Sequence, residues 1–336
     1  MPLPLPNDGL RAVNTYVIET EAGLALIDSG WALPASEKAL STALASINYG
    51  LSDIKKFFIT HMHADHYTQA LALRSTYGAE VYLGIGEKES LAFIQQRNTN
   101  PGPSTHFRTL VSAGAEELAR ESELHRLFES SGGIDWSDPD QWLTSNEVFD
   151  VGGRNIRVLA TPGHTQGHVV FHDEVANLLF AGDHVLPSIT PSIGFEPIRS
   201  NTALGSYLDS LTKLLILDDC VLLPAHGTPG ASVHARVREL LSHHDQRLGD
   251  MKDSIRTSPC TALDVAQRVT WTSRHRAFSE LNLFNQVLAV LETDSHLQLL
   301  TARGLLDCVQ KHEVDYFSHP AHEPVTLPQS SLDGEN

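Results

Sequence analysis

Short runs of aliphatic and aromatic residues, bounded by Gly, Pro, Asn or Asp, alternate along this chain with longer stretches of mixed polarity. The short runs predict strands at Val13–Ile18, Leu24–Asp28, Phe57–Thr60, Val81–Leu83, Ile156–Ala160, Val169–His172, Leu178–Ala181 and Val221–Leu223. The longer stretches predict helices at Ser36–Ile47, Thr68–Tyr77, Glu87–Gln96, Ala203–Leu217 and Ser232–Leu248. Such an alternation predicts an α/β chain whose sheet faces are buried under helices on both sides.

Several strands stop at residues that bind metals. Phe57-Phe58-Ile59 runs into Thr60-His61-Met62-His63-Ala64-Asp65-His66, with three imidazoles and a carboxylate in six consecutive positions. A strand that ends in a tight loop aims alternate side chains at one point, so His61 and His63 can share one ion while Asp65 and His66 turn toward a second. Imidazole and carboxylate suit zinc, and also iron or manganese. The other reading of the run is a solvated, histidine-rich loop. Later strands repeat the design: Ile156–Ala160 leads to Thr161-Pro162-Gly163-His164, Leu178–Ala181 to Gly182-Asp183, and Val221–Pro224 to Ala225-His226-Gly227. A lone His or Asp after a strand is more often a structural hydrogen-bonding residue, so it is the combination that points to a site.

From Val13 to about His244 the chain resembles the metallo-β-lactamase superfamily, whose pattern is HxHxDH followed by a distant His, an Asp and a final His. The early segments Asn14–Ile18 and Leu24–Gly30 fit the same pattern. The resemblance implies an αββα sandwich, with two sheets face to face, helices outside and the metal site at one edge. It further implies that His61, His63 and His164 bind a first metal, that Asp65, His66 and His226 bind a second, that Asp183 bridges the two, and that Asp28 braces the metal loop.

Departures narrow the family. Class B β-lactamases carry a Cys where this chain has Asp183, and Cys220, Cys260 and Cys308 lie elsewhere. The flavin-linked di-iron oxidases have an acidic residue in place of His63. The nucleases that process pre-messenger RNA insert a domain between the Asp and the last His, which the short distance from Asp183 to His226 excludes. Tyr67-Thr68-Gln69 stands where relatives often have glycines, which leaves ligation intact but changes the substrate wall. Glyoxalase II shares the ligands but has a different C-terminal region.

Two divalent cations sharing a water lower its pKa from 15.7 toward roughly 7, which makes hydroxide available at neutral pH. That hydroxide is the expected nucleophile, with one metal polarising the substrate oxygen. Asp65 is the candidate for handling the leaving-group proton, and Asp183 for fixing the metal separation. Tyr67 and His184 each follow a ligand. They are candidates either for substrate contact or for packing behind the ligands.

Composition changes this picture only in its outer parts. The 41% hydrophobic content of the 336 residues is ordinary for a globular protein, with room for a large domain over 1–250 and a small one over 251–317. No segment is apolar over the ~20 residues of a membrane span, the start lacks signal-peptide character, and three cysteines make no disulfide framework, so a cytoplasmic enzyme is expected. The net charge of −17 opposes binding to polyanions. Residues 97–146 form an insertion that opens with Asn100-Pro101-Gly102-Pro103 and continues into an expected helix at Ala113–Ser130. The overlapping stretch from Gly114 to Asp150 holds ten acidic residues against Arg120 and Arg126. The insertion reads as a lid or as an outer decoration, with His106, Phe107, Trp136 and Trp142 as the expected substrate wall.

Ser258–Phe317 resembles the winged-helix tail of a subgroup of the superfamily, as does the run Gly182–Pro191. Met251–Tyr316 carries seven Lys or Arg against eight Asp or Glu, so no nucleic-acid footprint is present and packing, homodimer formation or shaping of the cleft is expected instead. Ser318–Asn336 reads as a disordered tail. The function expected is a dinuclear hydrolase of a small ester-like substrate such as a thioester, lactone or acyl ester. The alternatives are a metal-dependent nuclease or phosphodiesterase and, outside enzymes, a winged-helix regulator with a relic hydrolase domain.

Overall fold

The computed structural model describes residues 1–6, 10–99, 105–124, 134–256, 258–272 and 275–320. The turn formers at 100–103, the end of the helix expected up to Ser130, and the tail beyond 320 lie outside the described residues.

A strand pair, β1 (Pro2–Pro4) with β2 (Ala12–Asn14), precedes two five-stranded sheets. The first sheet has the order β3 (Tyr16–Thr20), β4 (Gly23–Ile27), β5 (Ile54–Ile59), β6 (Glu80–Gly84), β7 (Gln141–Leu143). The second contains β8 (Val148–Val151), β9 (Arg154–Ala160), β10 (Val169–Asp173), β11 (Leu178–Gly182) and β12 (Val221–Pro224), in the order β12-β11-β10-β9-β8. Side-chain alternation sets the layers. Leu24 and Leu26 of β4 face one core with Phe57 and Ile59, whereas Ala25, Ile27 and Phe58 face another with Phe171 and Phe180 of the second sheet. The second set is the layer between the sheets. Helices α1 (Pro34–Ala45), α2 (Ala64–Tyr77) and α3 (Lys88–Thr99) follow strands of the first sheet. Apolar residues of all three pack with that sheet's outer face, completing one outer layer. The expected α/β sandwich is present. α2 begins four residues earlier than expected, because the metal-binding run itself supplies its first turn, with Asp65 favourably placed at the positive end of the helix.

The insertion begins inside α3 and continues as α4 (Thr105–Ser112) and α5 (Glu116–Leu124). The helix expected from Ala113 begins instead at Glu116, because Gly114 makes the turn before it with φ 79° and lies so close to Thr261 that a Cβ there would sit 2.7 Å from it. The other outer layer consists of α6 (Ala203–Leu214) and α7 (Val233–Ser254). The chain continues through α8 (Ala262–Arg268) and α9 (Leu283–Ala302) to an antiparallel hairpin, β13 (Asp307–Lys311) with β14 (Val314–Ser318). One continuous apolar core joins Leu110, Ala115 and Leu118 of the insertion, Val170 and Leu179 of the second sheet, Leu211 and Val237 of the outer helices, and Val265, Val290 and Phe317 of the C-terminal part. Among the described residues no helix is long and apolar enough to cross a membrane.

Candidate metal centre

Strands β9, β11 and β12 run in one direction in their sheet, as do β4 and β5 in theirs, and the loops after all five meet at one edge of the sandwich. The two sheets are joined there by Val169 N–H donating to the Thr60 carbonyl at 2.8 Å. Three sets of potential ligands result: His61, His63 and His164; Asp65, His66 and His226; and His61, His66 and Asp183. In each set the ligand atoms lie within 4.8 Å of one another. All seven residues singled out in the sequence therefore converge.

The outward nitrogen of most rings is held by the protein, which leaves the inward one with its lone pair free. His164 Nδ1 donates to the Ser192 carbonyl at 2.8 Å, and His226 Nδ1 to the Ala12 carbonyl at 2.8 Å. His66 Nδ1 lies 2.9 Å from Asp28 Oδ2, and His61 Nδ1 lies 3.1 Å from Thr60 Oγ1, whose hydroxyl is itself within reach of Asp28. His61 Nε2 and His164 Nε2 then meet His63 Nδ1 at 2.9 and 3.1 Å. The two oxygens of Asp183 face different sets, Oδ1 lying 3.3 Å from His226 Nε2 and 3.7 Å from His66 Nε2, and Oδ2 lying 3.6 Å from His164 Nε2. Asp65 Oδ2 is 3.4 Å from His226 Nε2. His66 Nε2, His226 Nε2 and Asp183 Oδ1 are buried without a hydrogen-bond partner. Lone pairs gathered this way repel one another in a low-dielectric site unless a cation lies among them, so the residues fit divalent metal ions.

The electrostatics divide the centre in two. Burial pushes His63 down to about 3 and His164 down to about 4, and it holds His61 well below its ordinary value, so the three-histidine side stays neutral and ready to ligate. Burial acts the same way on His66 and His226, but the carboxylates of Asp65, Asp28 and Asp183 outweigh it at His66 and raise it to about 10, while Asp183 and Asp65 raise His226 to about 9. The Asp65 carboxyl is pulled below the usual range by His66 and His226 despite its burial. This half attracts positive charge.

Of the expected substrate-wall residues, His106 lies one ring away from the centre, with Phe195 between it and His63. Its ring stacks on Phe195 at 4.7 Å, and Phe195 lies edge-on to His63 at 6.3 Å. Tyr67 is fully buried and its hydroxyl donates to the Ser137 carbonyl at 2.7 Å. Trp136 and Trp142 pack with it in the layer between the first sheet and its helices. These three are placed as packing residues, because α2 turns Tyr67 away from the edge that His66 faces. His184 is buried between the rings of His168 and Tyr207, behind the ligands.

His168 was not foreseen as a site residue. It stacks on His61 at 5.0 Å, its Nδ1 lies 2.9 Å from Thr161 Oγ1, and its Nε2 accepts from the Asp183 backbone N–H at 3.2 Å. Its place directly before the apolar run Val169-Val170-Phe171 repeats in reverse the signal that marked the other ligands. Glu87 was missed as well. Its buried carboxyl accepts from Thr165 Oγ1 at 2.5 Å and from Met62 N–H at 3.4 Å, which ties the two ligand loops together.

The sequence pattern of the metallo-β-lactamase superfamily matches residues 8–226. The chain belongs to this superfamily. It is 27% identical over 325 residues to "Probable metallo-hydrolase YqjP" of Bacillus subtilis, covering 91% of this chain and 92% of that protein. It is 26% identical over 239 residues to the "Lactamase-like protein nscB" of Trichophyton rubrum, covering 71% of this chain and 56% of that protein. Among solved structures, the metallo-beta-lactamase family protein TTHA1429 of Thermus thermophilus superposes with a TM-score of 0.72 at 27% identity, over 95% of this chain and 97% of that one. A beta-lactamase domain protein from Burkholderia ambifaria superposes with a TM-score of 0.79 at 23% identity, over 95% and 91%. Both likenesses extend through the C-terminal part. The chain is a hydrolase of the metallo-β-lactamase fold.

Proposed function

We propose that the protein is a dinuclear metallohydrolase of small ester-like substrates, a thioester, lactone or acyl ester. The observation that carries this reading is the split of Asp183, whose two oxygens face separate ligand sets. His61, His63 and His164 would hold one ion, Asp65, His66 and His226 the other, with Asp183 placed to contribute to both. Zinc suits this histidine-rich set, with iron or manganese as the other candidates. When bound, such ions supply an activated water and polarise the scissile carbonyl.

The chain's own residues do the rest. Asp28 holds His66 in the tautomer that bares Nε2, and the Ser192 and Ala12 carbonyls do the same for His164 and His226. Asp65 is the better-placed carboxylate for carrying a proton to the leaving group, since its side chain is 18% exposed against 10% for Asp183. A small uncharged substrate suits the chain's net charge of −17 better than a polyanion. We also read α8, α9 and the β13–β14 hairpin as a winged-helix unit that serves the catalytic body by packing on it.

A panel of chromogenic thioesters, lactones, acyl esters and a phosphodiester, assayed with zinc-loaded protein, tests the reading. Turnover of at least one carboxylic ester class, lost on chelation and restored by zinc, is expected. Turnover of the phosphodiester alone would replace it with the nuclease reading.

A further inference from the structure

The loop between β11 and α6 is held from outside the sandwich. Ile193 is buried in the core shared with the C-terminal part. Gly194, at φ 85°, passes so close to α9 that a Cβ there would lie 2.5 Å from Ser295 Oγ and 3.1 Å from the Leu291 carbonyl. Phe195 packs edge-on against Phe284 of α9 at 5.9 Å. Arg199 closes the loop, its Nη2 reaching both oxygens of the buried Asp294 at 2.6 and 2.8 Å and lying 3.7 Å from Asp315 of β14, while its Nη1 donates to Ser112 Oγ of α4 at 3.2 Å. One guanidinium therefore ties the loop to α9, to the terminal hairpin and to the insertion at once, a task that suits its planar fork. At the near end of the same loop, the Ser192 carbonyl accepts the Nδ1 proton of His164.

We propose that Arg199 is a positioning residue for the three-histidine metal. By pinning residues 192–199 to α9, it fixes the carbonyl that orients His164, so the C-terminal part sets the affinity of a centre to which it contributes no ligand. The groups that orient a ligating imidazole typically change metal affinity 10–100-fold when lost. This inference rests on the reading of His164 as a ligand.

The test is zinc competition against a chromogenic chelator, together with the visible spectrum of the cobalt-substituted protein, using the full chain. Arg199→Met alone would leave Asp294 buried without a partner and endanger the fold, so the variant to read is Arg199→Met with Asp294→Leu, which removes both charges. One of the two zinc equivalents is expected to bind about tenfold or more weakly, with the other unchanged and the cobalt band altered. Wild-type affinity for both equivalents and an unchanged band would overturn the proposal. If the double variant does not fold, Arg199→Met with Asp294→Asn is read by the same criterion, since it keeps a side chain of the same shape at 294 while removing the ion pair that ties the loop to α9. His164→Ala separates the two levels of the argument. If it keeps both equivalents, the ligand assignment itself fails. If it loses one and the Arg199 variants lose nothing, only the Arg199 inference fails.

Discussion

Asp183 and Tyr67 both lie close to the ligand loops, but their surroundings give them different work. Asp183 offers its oxygens to two sets of imidazoles, whereas the Tyr67 hydroxyl is bound to a backbone carbonyl in the core. Asp183→Ala is expected to lower kcat by about 100-fold or more, as loss of electrostatic stabilisation generally does. Tyr67→Phe should cost about 1 kcal/mol of stability and leave kcat unchanged. Steady-state kinetics and urea unfolding of the two variants make the comparison, and similar kinetic losses would contradict the assignment. Gly182 gives a sharper case. Its φ is 51°, and a Cβ there would lie 2.7 Å from both His168 Nε2 and Thr60 Oγ1. Gly182→Ala should therefore cost about 1–2 kcal/mol for the left-handed backbone and should also displace His168 from the Asp183 amide. Zinc bound per chain, measured by elemental analysis, is expected to fall below that of the wild type. Retention of the full metal content would show that His168 has no part in holding Asp183.

At the scale of elements, the ligand-bearing strand ends were legible because each couples an apolar run to a ligand within a few residues, three of them beside a Gly or Pro. The insertion was less legible. Its length reads as a lid or an outer decoration, yet Leu110, Ala113, Ala115 and Ala119 are fully or almost fully buried in the core that also holds α9. Their partners in α9 lie more than 150 positions away, and no local pattern reports them. Leu110→Ala should destabilise the protein by about 2–5 kcal/mol in urea unfolding while leaving zinc stoichiometry intact. A change below about 0.5 kcal/mol would return the insertion to the status of a decoration. The short strands β7 and β8 escaped for a related reason: β7, which lies inside the stretch expected as insertion, pairs in parallel with β6 more than fifty positions earlier, and its three residues show too little alternation to declare themselves.

Across the whole molecule, the α/β alternation and the metal residues could be read from the chain, but the buried carboxyls could not, since nothing local distinguishes Glu87 or Glu196 from a surface glutamate. Burial raises Glu87 to about 7, and burial with the nearby Glu87 raises Glu196 to about 9, against an ordinary 4.5. Between about 4.5 and these values the native chain binds more protons than the unfolded one, so the stability linked to both groups is fully present at low pH and is lost as pH rises through about 7 and about 9. Above the range in which the buried neutral histidines titrate in the unfolded chain, urea midpoints of the metal-free protein are expected to fall from pH 7 to pH 9, as Glu196, His66 and His226 lose their protons, and Glu196→Gln should flatten the decline. Parallel curves for the two proteins would mean that Glu196 is charged in the native state.

The brace on His226 also has a consequence for biosynthesis. The Ala12 carbonyl receives this ring, and Asn14 Nδ2 donates to the Pro224 and Gly227 carbonyls at 3.0 and 2.9 Å, so residues made early in translation hold a ligand made more than two hundred residues later. During synthesis the Ala12 carbonyl and the Asn14 amide have no His226 loop to meet until β12 has been made. Nascent chains arrested before β12 can gather the three histidines of one set but not the second set, so metal loading should proceed in two stages set by chain length. Arrested chains of increasing length would take up the second zinc only after His226 has emerged, and would hold the first at full affinity only once α9 has emerged to pin the Ser192 loop.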